Sequence, residues 1–201
     1  SNRRDEIGAL ANSFVQMRDQ VQTMVQMLEA RLAARVRDIG ATQLISQFAA
    51  TQRDLQSLME SVVELLIERF TNLYHAQIFL IDAEDKYAIL QASTGEPGEQ
   101  LLARGHRLAV GSVSIVGQAA AQKRPTIARD VESSQLHHKQ QFLPETRAEM
   151  AIPLIFGERV IGVLDVQSKQ KDAFAAEEAD VLQIVANQIA VAIQTARLYE
   201  E

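Results

Sequence analysis

The sequence predicts an α+β fold: a central antiparallel β-sheet with helices packed on it, preceded by a long N-terminal coiled-coil helix. Three observations carry this. The first third holds only Gly8 and Gly40 as helix breakers, whereas seven of the nine glycines and all four prolines fall between Gly95 and Gly162. Short apolar runs of period two fill that middle stretch. From Glu177 onward an unbroken helical pattern returns.

At the start, Ile7, Leu10, Phe14, Met17, Val21, Met24 and Leu28 recur at alternating spacings of three and four. This is a coiled-coil seam, which one helix cannot bury alone. A second run is Leu55, Leu58, Val62 and Leu65. The interval from Leu28 to Leu55 is not a whole number of heptads, so the register shifts between them. Gly40, worth about 1 kcal/mol against alanine inside a helix, marks the place. A parallel homodimer would bury both runs; two or three shorter helices turning at Gly40 would do so within one chain.

From His75 the period changes. HAQIFLID (75–82) alternates with apolar residues on both faces, as a central strand does. KYAILQAS (86–93) follows after Asp-Glu-Asp and completes a hairpin. TGEPGEQ reads as loop and HRLAV (106–110) as a short strand. Gly111-Ser112 offers an N-cap to the small-residue helix GSVSIVGQAAAQ. PTIA is another short strand, and the polar stretch from Arg129 to Arg147 is irregular. EMAIPLIF (149–156) and RVIGVLDVQS (159–168) form the strongest hairpin, turning at Gly157-Glu158. The last helix carries two seams. Leu182, Val185, Ile189, Ala192 and Ala196 form one, and Val181, Ile184, Val191 and Leu198 the other. One can face the sheet while the other faces a neighbouring helix or a second chain.

Composition excludes some functions. The net charge of -6 disfavours nucleic acid as a partner. The absence of cysteine removes disulfides, thiolate metal sites and thiol nucleophiles. No apolar run approaches the roughly 20 residues of a membrane span. Phosphate-loop, dinucleotide-glycine, serine-elbow and paired-histidine zinc motifs are missing, so no catalytic residue, metal site or cofactor is expected.

Two resemblances become visible on these residues. Asp5-Glu6-Ile7-Gly8, with Leu10, Phe14 and Met17, resembles the second helix of a HAMP domain, the linker that follows the last membrane span of many bacterial receptors. HAQIFLID, GHRLAVGSVSIVGQAAAQKRP, LPETRAEMAIPL and RVIGVLDVQSKQKDAF, in that order, resemble a GAF domain. The division implied is a partial HAMP at residues 1–27, a coiled-coil linker at 28–54 and a GAF domain at 55–201. The second resemblance implies entering and leaving helices on one face of the sheet and a small-molecule pocket on the other. The helix from Ser112 and the 130–147 segment would roof that pocket.

Candidate ligand residues are Val113, Ser114, Ile115, His137, Phe142, Arg147 and Ile152. The helix start at Ser112-Val113-Ser114 could seat an anion, with Arg147 as counter-charge; equally, Ser112 could merely cap and Arg147 pair with Glu145 or Glu149. Some GAF-like domains bind haem through a histidine, which singles out His137 or His138, although adjacent histidines diverge and are commonly surface residues. Asp165 within VIGVLDVQS is a buried carboxylate that either serves a site or ties down neighbouring loops, and the structural role is the favoured one. GAF-like methionine sulfoxide reductases need cysteines, which this chain lacks.

The functional expectation is a non-catalytic relay in the cytoplasmic portion of an inner-membrane receptor. A homodimeric parallel coiled coil would pass the signal through Ile7, Leu10, Phe14, Met17, Val21, Met24, Leu28, Leu55, Leu58, Val62, Leu65, Val181, Ile184, Val191 and Leu198. The recipient would be a histidine kinase, cyclase or chemoreceptor output. The alternative is a sensor whose pocket ligand, of unknown identity, is the primary input.

Overall fold

A computed structural model describes residues 54–132 and 142–200, within the second of two units into which the chain divides, Ala41–Glu201. The expected seam from Ile7 to Leu28, the HAMP-like helix, residues 28–53 of the linker and His137 lie outside the described residues.

Helix α1 (Leu55–Arg69) starts at Asp54, whose carboxylate accepts from the Ser57 amide at 2.9 Å and so satisfies one of the first turn's open donors. Strands β1 (His75–Ile81) and β2 (Tyr87–Ser93) form the expected hairpin. Next come α2 (Gly95–Ala103), β3 (Arg107–Ala109), α3 (Ile115–Gln122) and β4 (Thr126–Ala128). The second hairpin, β5 (Ala148–Phe156) and β6 (Arg159–Ser168), leads into α4 (Ala176–Glu200). The six strands form one antiparallel sheet in the order β3-β2-β1-β6-β5-β4. Gly157, at φ 63°, supplies the left-handed residue that the tight β5–β6 turn requires.

Helix α2 replaces the expected loop. Pro97 sits in its first turn, where a missing N–H costs nothing, and Glu96 complements the helix dipole. Leu101 then anchors the helix by burial. Glycine and proline pointed to a loop because their helix-starting role depends on a buried leucine several residues downstream.

Strand alternation sorts the side chains to two faces. Ala76, Ile78, Leu80, Met150, Ile152, Leu154, Leu164 and Val166 meet α1 and α4 on one side. Phe79, Ala88, Leu90, Ala151 and Val163 meet α2 and α3 on the other. Pro153 lies past the end of β4, where β5 is hydrogen-bonded only to β6, so a missing donor is tolerated.

The α1 seam is a correction. Leu58, Val62 and Leu65 are buried in the chain's own core, together with Met59, Val63 and Leu66. Their apolar arc is wider than a coiled-coil stripe and covers β1 and β2, so these three cannot face a second chain. Leu55 is half-buried against the same core. In α4 the seam of Leu182, Val185, Ile189, Ala192 and Ala196 is buried, whereas Ile184, Val191 and Leu198 stay exposed and Val181 is half-buried. By length and composition alone, α4 reaches the standard for crossing a membrane over Glu178–Leu198, which the sequence reading had not found. Its inner face belongs to the core.

Candidate functional site

On the α2/α3 face, the polar residues gather at one end of the sheet. His75 and Gln77 alternate on β1, and Asp165 and Gln167 on β6; the pairing sets His75 opposite Gln167 and Gln77 opposite Asp165. On β5, Glu149 faces Gln167, and on β2, Ser93 faces Gln77. Two cross-strand rows result, Ser93–Gln77–Asp165 and His75–Gln167–Glu149. The next row along is apolar, with Phe79 opposite Val163. All of these except Ser93, which is half-buried, are buried. Such grouping is costly unless every member is hydrogen-bonded.

Hydrogen bonds organise the cluster. The Tyr74 hydroxyl bonds Thr146 Oγ1, which donates to Gln167 Oε1 at 2.6 Å, and Gln167 Nε2 donates to Asp165 Oδ2 at 2.9 Å. This chain of contacts orients the Gln167 amide, since its oxygen meets a hydroxyl and its nitrogen a carboxylate. On the β2 side, Gln77 Nε2 donates to Ser93 Oγ at 3.1 Å. The His75 ring lies between Ser93 Oγ at 3.2 Å and Thr94 Oγ1 at 3.1 Å.

Burial sets the protonation states. It holds His75 neutral, pushing its pKa down to about 4. Burial pushes Glu149 up to about 7, partly offset by a side-chain hydrogen bond with Asp165. Tyr74 is raised by burial, against the hydrogen bond from Thr146. Glu149 and Asp165 thus form a carboxyl–carboxyl pair, stable only while the two share a proton or a cation intervenes.

The rim is charged and internally paired. Arg147 pairs with Glu132, Lys169 with Glu145 at 2.5 Å, and Lys171 with Asp130 at 2.7 Å. Lys169 also lies 5.1 Å from the centre of the Tyr74 ring.

The expected ligand residues separate. Ile115 is buried beside Phe79 and Leu90, and Phe142 packs on the same apolar group, with the Arg104 guanidinium 4.5 Å from its ring centre. Ser114, rather than Ser112, caps α3: its Oγ accepts from the Gly117 amide at 2.9 Å and bonds Ser112 Oγ at 3.0 Å. A Cβ on Gly117 would come 2.5 Å from the Ala109 carbonyl oxygen, so glycine lets α3 start so close to β3. With the cap two residues later than expected, Val113 precedes the helix and is 61% exposed. Ile152 is a correction: it is buried on the opposite face, under α1 and α4, while its neighbour Ala151 faces the cluster. Arg147 is engaged with Glu132, so the expected anion seat is not assembled.

Sequence reasoning missed His75, Gln77, Thr146, Glu149 and Gln167. The available signal was polar residues two apart on strands otherwise rich in apolar ones: HAQ on β1 and DVQ on β6.

Two surface clefts lie at the other end of the sheet. One, of about 340 Å³, is lined by Asp85, Phe156, Arg159, Arg197 and Leu198. The other, about 230 Å³, shares Ile81, Asp85, Arg159 and Val160 with it and extends to Lys123 and Val110. Neither touches the polar cluster. Among the described residues no group of histidines and carboxylates has metal-ligand geometry.

A family model described as GAF domain matches residues 52–194. Among solved structures, the chain is similar to a protein described as a GAF sensor from Burkholderia vietnamiensis: TM-score 0.70, 19% identity, covering 82% of this chain and 98% of that one. It is also similar to the GAF domain of a phosphoenolpyruvate-protein phosphotransferase from Coxiella burnetii, with TM-score 0.69, 21% identity and coverage of 81% and 96%. A third similar structure is the free methionine-R-sulfoxide reductase of Neisseria meningitidis in complex with its substrate, with TM-score 0.68, 23% identity and coverage of 79% and 89%. No curated protein matches the chain. The reductases correct the expectation that the chain is not an enzyme. Enzymes are built on this same fold, so missing motifs do not exclude catalysis.

Proposed function

The chain belongs to the GAF-domain family, and from that premise we propose that it is a sensor module whose buried polar cluster receives a small polar ligand. One observation carries the reading: Glu149 and Asp165 in contact on the sheet face, flanked by His75, Gln77 and Gln167 and bordered by the apolar row at Phe79. A few convergent polar groups beside apolar ones are the usual makeup of a small-molecule site. The ligand class we assign is a small protonated amine, because an ammonium stabilises a carboxylate pair in place of the shared proton.

The arrangement also supports signal transfer. Strands β1, β5 and β6 carry the cluster on one face and the floor under α1 and α4 on the other. Gln77 stands between Ala76 and Ile78, and Asp165 between Leu164 and Val166. A shift of these strands on binding would move the helices. We place the module in a relay to a histidine kinase, cyclase or chemoreceptor output; the HAMP-like residues 5–17 favour an inner-membrane receptor and a cytoplasmic location.

Thermal denaturation with a panel of amino acids and small amines tests the ligand class. At 100 times its Kd a ligand adds about 2.7 kcal/mol, a readily measured rise in Tm. Affinity should increase with pH toward about 7, as Glu149 ionises. Glu149→Gln should abolish the shift. A panel that never moves Tm, or a shift that survives Glu149→Gln and Asp165→Asn unchanged, would reject the site.

A further inference from the structure

The cleft of about 340 Å³ at the far end of the sheet falls within the usual size of small-molecule sites. Three parts of the chain wall it. The β1–β2 turn brings Asp82 and Asp85, the tight β5–β6 turn brings Phe156 and Arg159, and the end of α4 brings Gln194, Arg197 and Leu198. Phe156 and Arg159 are cross-strand partners, so both side chains leave the sheet on one side. Gln194 and Arg197, three apart on α4, share one face of the helix. Val160 and Ile161 add aliphatic surface.

The polar groups of this cleft are unevenly matched. Asp82 accepts the Lys86 and Tyr87 amides at 2.7 and 3.0 Å, and Asp85 pairs with Arg159 at 3.3 Å. Among the described residues, neither the half-buried Arg197 guanidinium nor the half-buried Gln194 amide has a hydrogen-bond or ion-pair partner. Beside them Phe156 is 44% and Leu198 66% exposed.

We propose that this cleft is a second ligand site, for a monoanionic carboxylate on a compact apolar body, such as an aryl or branched aliphatic acid. It lies at the opposite end of the sheet from the polar cluster and rests on none of that cluster's residues. The Arg197 fork and the Gln194 NH₂ donate to a carboxylate without breaking any existing pair among the described residues. Asp82 and Asp85 oppose a second negative charge, which favours a carboxylate over a phosphate dianion. Phe156 and Leu198 gain by covering an apolar body. Occupancy would tie the end of α4 to both hairpin turns.

Amide spectra of the isotope-labelled chain, titrated with benzoate to about 20 mM, test the site; that concentration saturates a millimolar interaction. Shifts should concentrate at Phe156–Arg159 and Gln194–Leu198. Arg197→Ala should weaken benzoate by about tenfold or more, the loss of one charge-assisted pair. Arg197→Lys should recover only part of it, because the ammonium lacks the fork. Phe156→Ala should cost about threefold. Glu149→Gln, in the polar cluster, should change nothing. Absence of shifts with benzoate, phenylacetate and isovalerate alike would overturn the proposal. So would benzyl alcohol binding as tightly as benzoate, or affinity that survives Arg197→Ala and is lost in Glu149→Gln.

Discussion

The two faces of the sheet use the same strands for different ends. Under α1 and α4 the contributed side chains are aliphatic and methionine, at most 9% exposed. Under α2 and α3, the same strands offer His75, Gln77, Glu149, Asp165 and Gln167 beside Phe79, Leu90 and Val163. The first face minimises exposed apolar area. The second accepts the desolvation of five polar groups and recovers it through hydrogen bonds. A fold needing only stability would have repeated the first arrangement twice, so the polar end of the second face is where function has shaped the chain.

The largest way to break this comparison is a charge placed in the first face. Leu58 is 1% exposed, between α1 and the sheet. Leu58→Ala should cost about 2–5 kcal/mol, and Leu58→Glu more, enough to unfold a domain of ordinary stability. Urea denaturation followed by circular dichroism measures it. A folded Leu58→Glu monomer would mean that α1 does not pack as described.

Much of this fold was legible in the sequence, because both hairpins, the short edge strands and the last helix rest on local periodicity. The α1 stripe was legible as apolar but not as to its partner. Leu55, Leu58, Val62 and Leu65 fit a heptad, and only the sheet beneath shows that Met59, Val63 and Leu66 widen it into a core-facing arc. The polar cluster was harder to see for a different reason. Asp165 stood out alone, but its neighbours come from β1, β5 and β6, and register across strands is not written in any one of them. Ile152 and Ala151 show the same limit: a one-residue difference in phase decides which face a side chain serves.

A titration sharpens the comparison next. Between pH 4.5 and about 7 the unfolded chain has released the Glu149 proton and the folded chain retains it, so rising pH favours unfolding in that window. His75 acts in the opposite sense. Between about 4 and 6.5 the unfolded ring is protonated and the folded one is not, so rising pH favours folding. The two trends oppose where they overlap. Glu149→Gln should therefore uncover the His75 trend, with stability climbing by up to about 3 kcal/mol from pH 4 to 6.5. Denaturation midpoints at half-unit pH steps would show it. A variant whose profile matches the parent would mean that Glu149 is ionised in the folded chain.

The smallest effects contrast buried with exposed polar groups at the two ends of the sheet. Thr146 links the Tyr74 hydroxyl to the Gln167 oxygen from a position 4% exposed. Thr146→Val keeps the shape and removes that link, leaving the Tyr74 and Gln167 groups to find new partners. It should cost about 1–3 kcal/mol. At the far end, Arg159 pairs with Asp85 at 3.3 Å, with side chains 74% and 63% exposed. Arg159→Ala should change stability by less than about 0.5 kcal/mol, because water screens the pair and the arginine regains its freedom. The ratio of the two losses, read from the same urea titration, measures how far the cluster is shielded. Equal losses would place Thr146 in contact with solvent and make the cluster an ordinary wet surface.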